Sequence, residues 1–185
     1  DEGKDSVRIT ARDTANNVKD TLINFICDRT SPQWNIEYPN ERFPSKKLLV
    51  ANIEDLYPEK KGYSLNSADT TYFASDTANL PVDDGEYNIM LTALDSAGNV
   101  SDTTLKTVFD TKKPDLVITG LEDKFYNHSP NGTLEANDPY LKDYGYQIDS
   151  EDFVSYSDSG NVGSFHFNLS EGSYSIEFSA TDSAD

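Results

Sequence analysis

Two histidines and one cysteine limit the side-chain chemistry open to this chain. A Ser–His–Asp site needs an imidazole held between a hydroxyl and a carboxylate. His128 lies in the polar loop YNHSPNG and His166 alternates with Phe165 and Phe167, so both read as incidental. The lone Cys27 excludes an internal disulfide and a cysteine-built zinc tetrahedron. Its apolar run, LINFIC, predicts a buried thiol that packs as a small hydrophobe. No glycine-rich phosphate loop is present, since Gly160 and Gly163 flank a hairpin-like turn. What abounds is carboxylate. Thirty-three acidic residues against fifteen basic ones give a net charge of −18. Phosphate backbones and anionic lipid demand the opposite balance, which excludes nucleic acid and anionic membrane surfaces as partners. The charge fits a solvated surface or one that recruits cations. Asp138, Asp143, Asp149, Glu151 and Asp152 form one acidic region, read from the alternation of YGYQIDSEDF as solvated strand and loop.

Aromatic residues are the other resource, with eleven Tyr, nine Phe and one Trp. Exposed aromatic platforms hold sugars, and two groups are candidates: Trp34 with Tyr38, and Tyr140 with Tyr144 and Tyr146. Each group also reads as core packing, and Trp34 stands where a first strand begins. Exposure discriminates the two readings.

The elements that position these residues are strands. Gly3, Gly85 and Gly172 each open a similar segment, 82 residues apart (3 to 85) and then 87 (85 to 172). After them come Val7, Ile9, Ala11 and Asp13; Ile89, Leu91, Ala93 and Asp95; and Ile176, Phe178, Ala180 and Asp182. Mostly polar residues fill the alternate positions, a period of two that marks a strand with one buried face. Tyr87 and Tyr174 follow their glycines by two residues, the position from which a tyrosine bonds back to its corner; Asp5 replaces tyrosine in the first copy. The turns DTANN and DSAGN, and the begun DSAD, place Asn16, Gly98 and Asp185 where positive φ is needed. Each complete hairpin ends in a segment closing on proline, CDRTSP at Pro32 and FDTKKP at Pro114.

The expected class is therefore all-β, with antiparallel Greek-key sandwiches in tandem. The expected divisions are 1–31, the last two strands of a preceding repeat; 32–113, a complete domain; and 114–185, a domain without its final strand. Further strands are expected near KKLLVANI, KGYSLN, TTYFAS, DLVITGL, GTLEAND, YGYQID and GSFHFNL. No run approaches the roughly 18 apolar residues of a membrane span. The opening residues DEGKDS are not a leader, so if the protein is secreted its signal is expected to be removed or to lie upstream.

ALDSAGNVSDTTLKTVFDTKKP and ARDTANNVKDTLINFICDRTSP resemble the ends of bacterial immunoglobulin-like repeats, which finish with a D-x-A-G-N turn, a last strand and a D-T-T-A-P-like linker. PDLVITGLEDKFYN resembles their first strand and following loop. The resemblance spans the chain and is weakest from Gln33 to Thr71. It implies a non-enzymatic spacer or stalk module of an extracellular, secreted or surface-anchored protein such as a large adhesin. Its partners are then neighbouring repeats and a host or cell-surface glycan or protein; a carbohydrate-binding module is the alternative. Some members bind calcium at the domain junction through aspartates of turn and linker, positions matched here by Asp13, Asp28, Asp95, Asp110 and Asp182. Calcium takes 6–8 oxygen ligands, which such a junction can collect. The same aspartates also suit plain Asx turns.

Overall fold

The computed structural model describes residues 2–156 and 160–184. It is all-β, and its strands run in the order β1 (Gly3–Arg12), β2 (Val18–Cys27), β3 (Gln33–Tyr38), β4 (Leu48–Glu54), β5 (Pro58–Leu65), β6 (Thr71–Phe73), β7 (Thr77–Asn79), β8 (Gly85–Asp95) and β9 (Val100–Phe109). There follow β10 (Asp115–Thr119), β11 (Asn131–Asn137), β12 (Leu141–Ile148), β13 (Val154–Ser155), β14 (Val162–His166) and β15 (Ile176–Asp182). They fall into two compact units, Asp1–Phe109 and Asp110–Asp185.

In the first unit a three-stranded sheet, β3-β4-β7, packs on a four-stranded one, β6-β5-β8-β9. This is an immunoglobulin-like sandwich, with consecutive strands crossing between sheets at β4–β5, β6–β7 and β7–β8. The alternation seen in the sequence sets its core. Leu49 and Ala51 from β4 meet Ile89 and Leu91 from β8, with Tyr63, Leu80 and Phe109 completing the cluster. Burying a side chain the size of Ile89 or Leu91 contributes roughly 1.5–3 kcal/mol. Their alternates, the polar Glu86 and Asn88 and the apolar Met90, stay exposed.

The β8–β9 hairpin pairs Gly85 with Phe109, Ile89 with Leu105 and Leu91 with Thr103. The β1–β2 hairpin has the same register 82 residues earlier, pairing Gly3 with Cys27, Val7 with Ile23 and Ile9 with Thr21. Both turns use positive φ where the sequence requires it, at Asn16 (66°) and Gly98 (90°); the third such position, Asp185, lies outside the described residues. The burial differs sharply. Ile89 and Leu91 are fully buried, whereas their counterparts Val7 and Ile9 are 49% and 53% exposed, and Phe25 is 44% exposed. The expectation of a buried Cys27 is corrected for the same reason: it ends β2 and is half-buried, because no second sheet covers this hairpin among the described residues.

The second unit repeats the plan with β10-β11-β14 and β13-β12-β15. Leu134, Ala136 and Tyr144 form its centre, and Tyr146, Phe165, Phe167 and Phe178 make an aromatic layer in which Phe165 and Phe167 stack at 4.7 Å. Tyr174 donates its hydroxyl to the Ser170 carbonyl, four residues back, at 3.3 Å, so the expected tyrosine corner forms here. In the first unit the Tyr87 ring packs on Phe109, with centroids 5.9 Å apart.

Equal repeat positions should thus differ in energetic weight. Leu91→Ala should cost about 2–5 kcal/mol in urea unfolding. Ile9→Ala, at the matching position, should cost under about 1 kcal/mol. Equal losses would mean that the β1–β2 face is covered in solution.

Candidate metal centre

The D-x-A turns build a carboxylate cage from the backbone. Asp95 Oδ1 accepts the amide N–H groups of Ala97 (2.8 Å) and Asn99 (2.9 Å), while Asn99 Nδ2 donates to Oδ2 at 2.8 Å. Burial pushes the Asp95 carboxyl up, but these donors outweigh it and hold it below the ordinary 3.8. Asp13 has the same donors, from Ala15 (2.8 Å), Asn17 (2.9 Å) and the Asn17 side chain (2.7 Å), and the Asn17 side chain leads in lowering its pKa. Asp182 accepts the Ala184 amide at 2.7 Å. Asp95 and Asp182 are buried, whereas Asp13 is exposed.

Two further aspartates converge on each buried one. Asp28, Asp55 and Asp95 form one group, and Asp110, Asp138 and Asp182 the other, with carboxylate oxygens all within 4.8 Å of one another in each. The two groups have the same construction. The linker residues Asp28 and Asp110 each accept the amide two residues on, from Thr30 (3.1 Å) and Lys112 (3.2 Å). The loop residues Asp55 and Asp138 do likewise, from Tyr57 and Tyr140, both at 2.7 Å. The carbonyls of those tyrosines then accept the amides of Ser96 (2.8 Å) and Ser183 (3.0 Å), tying loop to turn. Asn99 Nδ2 also reaches the Asp28 carbonyl at 3.3 Å, fixing the linker.

Like charges held this close repel, and the second group carries the mark of it. Asp138 is raised above 3.8, first by burial and then by the charges of Asp110, Asp182 and Asp115. One carboxylate oxygen of Asp110, Oδ2, is buried without a hydrogen-bond partner. Three hard, anionic oxygen donors at this spacing fit a divalent cation of the calcium kind, whose ligands stand 2.3–2.6 Å away. Among the described residues Asp13 joins no such group.

Of the turn and linker aspartates named from the sequence, the structure brings together Asp28 with Asp95 and Asp110 with Asp182. The loop aspartates were missed. Asp138 was read as part of a solvated acidic region, whose other members disperse: Asp143 bonds Ser155, Asp149 accepts the Ser175 amide at 2.8 Å, and Glu151 and Asp152 are exposed. The available signal was the D-x-Y word in EDLYPE and NDPYLK, which stands immediately before the fifth and twelfth strands.

The aromatic candidates turn inward. Trp34 is half-buried against the first core and donates Nε1 to the Ser101 carbonyl at 3.3 Å. Tyr38, also half-buried, accepts the Lys46 amide at 2.8 Å. Tyr140 and Tyr146 are half-buried. Tyr144 is fully buried and presents no face to a sugar, a correction to its reading as part of a platform. His128 lies edge-on to Tyr126, and His166 is exposed on β14.

No protein-family model matches the sequence, and no curated protein does. A solved structure described as "Structures of Clostridium thermocellum CbhA fibronectin(III)-like modules" is similar at 20% identity, over 83% of this chain and 87% of that one, with a TM-score of 0.44.

The acid titration of these turn and loop aspartates should have opposite signs. Asp13 and Asp95 have lowered folded pKa values, so their contribution is full above 3.8 and lost as the pH falls through the still lower folded value. Asp138 has a raised folded value, so its charged form destabilises at neutral pH and protonation relieves this as the pH falls toward 3.8. In EDTA at pH 7, Asp95→Asn should lower the unfolding midpoint and Asp138→Asn should raise it. A lowered midpoint for both would show that Asp138 is held by favourable contacts.

Proposed function

We propose that this chain is a non-enzymatic spacer segment of an extracellular, secreted or surface-anchored protein, built from immunoglobulin-like modules joined at calcium-stiffened linkers. The modules divide as 1–31, 32–113 and 114–185, with the hairpin of residues 1–31 the counterpart of the one that closes 32–113. The observation that carries the reading is the acid triad made twice from the same three places: the turn aspartate, the aspartate that opens the linker, and the aspartate of the loop before the third strand of the sandwich. A solvated acidic surface gives no reason for such a recurrence, nor for burying one carboxylate of each triad.

The physical role follows from the position of Asp28 and Asp110. Each begins the segment that ends in Pro32 or Pro114. A cation shared by turn, loop and linker fixes the direction in which the chain enters the sandwich. Without it, mutual repulsion among the three carboxylates loosens that entry. Stiffness at each junction suits a stalk that holds a distal unit away from a surface.

Ligand binding to the native state alone stabilises it, by about 2.7 kcal/mol at a hundred times Kd, and so raises the unfolding midpoint. Calorimetry in EDTA and then in millimolar calcium should therefore show a rise of several degrees. Asp95→Ala and Asp110→Ala should each remove the part belonging to its own triad. An unchanged midpoint in calcium would reduce both triads to turn chemistry.

A further inference from the structure

The two sandwiches differ at one interior position. Six residues after the loop aspartate (55 to 61), Lys61 of β5 is buried in the first sandwich. Its Nζ donates to the Ala51 carbonyl at 3.0 Å and to Asp76 Oδ1 at 2.6 Å, and lies 5.2 Å from the centre of the Phe73 ring. An ammonium is tolerated out of water when its N–H groups are met in this way. The second unit keeps the frame of this site and lacks its cation. Six residues after its loop aspartate (138 to 144) stands Tyr144, fully buried. The Ala136 amide donates to the Asn161 carbonyl at 2.9 Å, as the Ala51 amide donates to the Asp76 carbonyl at 2.9 Å. Ala136 and Asn161 therefore hold the places of Ala51 and Asp76. Tyr156, across the strand pair from Tyr144, replaces Phe73, and the two tyrosine rings are 5.7 Å apart. Where Lys61 has three neighbours for its charge, the buried Tyr144 hydroxyl has no hydrogen-bond partner among the described residues. A cavity of about 260 Å³ opens beside it, lined by Asp138, Leu141, Lys142, Tyr144, Gly160 and Asn161.

We propose that this cavity is a binding site for a small primary amine, whose ammonium does in the second unit what the Lys61 ammonium does in the first. An ammonium carries three N–H donors and no acceptor. The Asp138 carboxylate, the Tyr144 hydroxyl oxygen and Asn161 Oδ1 are the acceptors that meet them. Asn161 commits its Nδ2 to Asn137 Oδ1, at 3.3 Å, so Oδ1 is the atom it offers. Burial pushes the Tyr144 hydroxyl above its ordinary 10.0, so it lends a lone pair but no charge, and Asp138 is the counter-ion. Leu141 is an apolar wall for a short alkyl stem. The positive charge of Lys142 disfavours a second ammonium, which selects a monoamine over a diamine. The site is independent of the spacer reading.

The probe is n-butylammonium chloride, titrated into the ¹⁵N-labelled 185-residue chain in millimolar calcium. Saturable shifts should centre on Tyr144, Gly160 and Asn161. The controls are n-butanol, which lacks the charge, and tetramethylammonium, which lacks the N–H donors; each should bind at least about tenfold more weakly. Tyr144→Phe keeps the ring packing and should weaken the amine about tenfold. Tyr144→Lys together with Asn161→Asp transplants the ion pair of the first unit and should abolish binding; the Phe substitution carries the test if that double variant does not fold. Absence of saturation at tens of millimolar amine, equal binding of either control, or unchanged affinity in Tyr144→Phe would overturn the proposal. Binding that appears only after Lys142→Ala would give the cavity to the chain's own ammonium and overturn it. Binding seen only in EDTA would place the amine in the carboxylate triad and also overturn it. The calcium response of the unfolding midpoint tests the spacer reading separately.

Discussion

The buried carboxylate of Asp95 is the constraint on which the rest of the first sandwich closes. A charge out of water is costly unless its oxygens are met by donors, and here two amides and one side-chain amide of the same short turn meet them. Those bonds fold the β8–β9 turn, which needs the positive φ of Gly98. The turn fixes the hairpin register, and the register places Ile89, Leu91 and Ala93 inward against the opposite sheet. Asn99, held by Asp95, also reaches the linker carbonyl of Asp28. Turn, core and linker thus share one anchor.

The same turn occurs at Asp13 with nearly identical distances, yet there it is exposed and gathers no other acid among the described residues. The comparison separates two roles that one motif can hold. The hydrogen bonds belong to the turn and form wherever its sequence occurs. The triad needs a loop before the third strand and a linker brought up beside the turn, and both large units supply them. Their repeated D-x-Y loops and repeated serine-to-tyrosine bonds argue that the arrangement is a property of the module and not of one surface.

Much of the fold could be read from period-two alternation, because hairpins such as β8–β9 carry their own register in glycine, turn and proline. The short strands β7 and β13 were not legible, since two or three residues show no period. Burial of the β1–β2 hairpin was misjudged because alternation tells which face can be buried and not whether a second sheet exists to cover it; Cys27 followed that error. The resemblance to immunoglobulin-like repeats pointed to Asp28, Asp95, Asp110 and Asp182, which the structure gathers in pairs, and equally to Asp13, which joins no group among the described residues. Asp55 and Asp138 were not, because their loop is read only once the sandwich brings it against the turn. The inward placement of Tyr144 likewise depends on which sheet face β12 turns to the core.

The most direct test of the proposed calcium joint is a count of sites. Isothermal titration of calcium into the EDTA-stripped, desalted chain should give two sites per chain, one per triad. Asp55→Asn should remove one and Asp138→Asn the other, each leaving its counterpart intact. A titration without binding heat across temperatures, or two sites that survive both substitutions, would contradict the account.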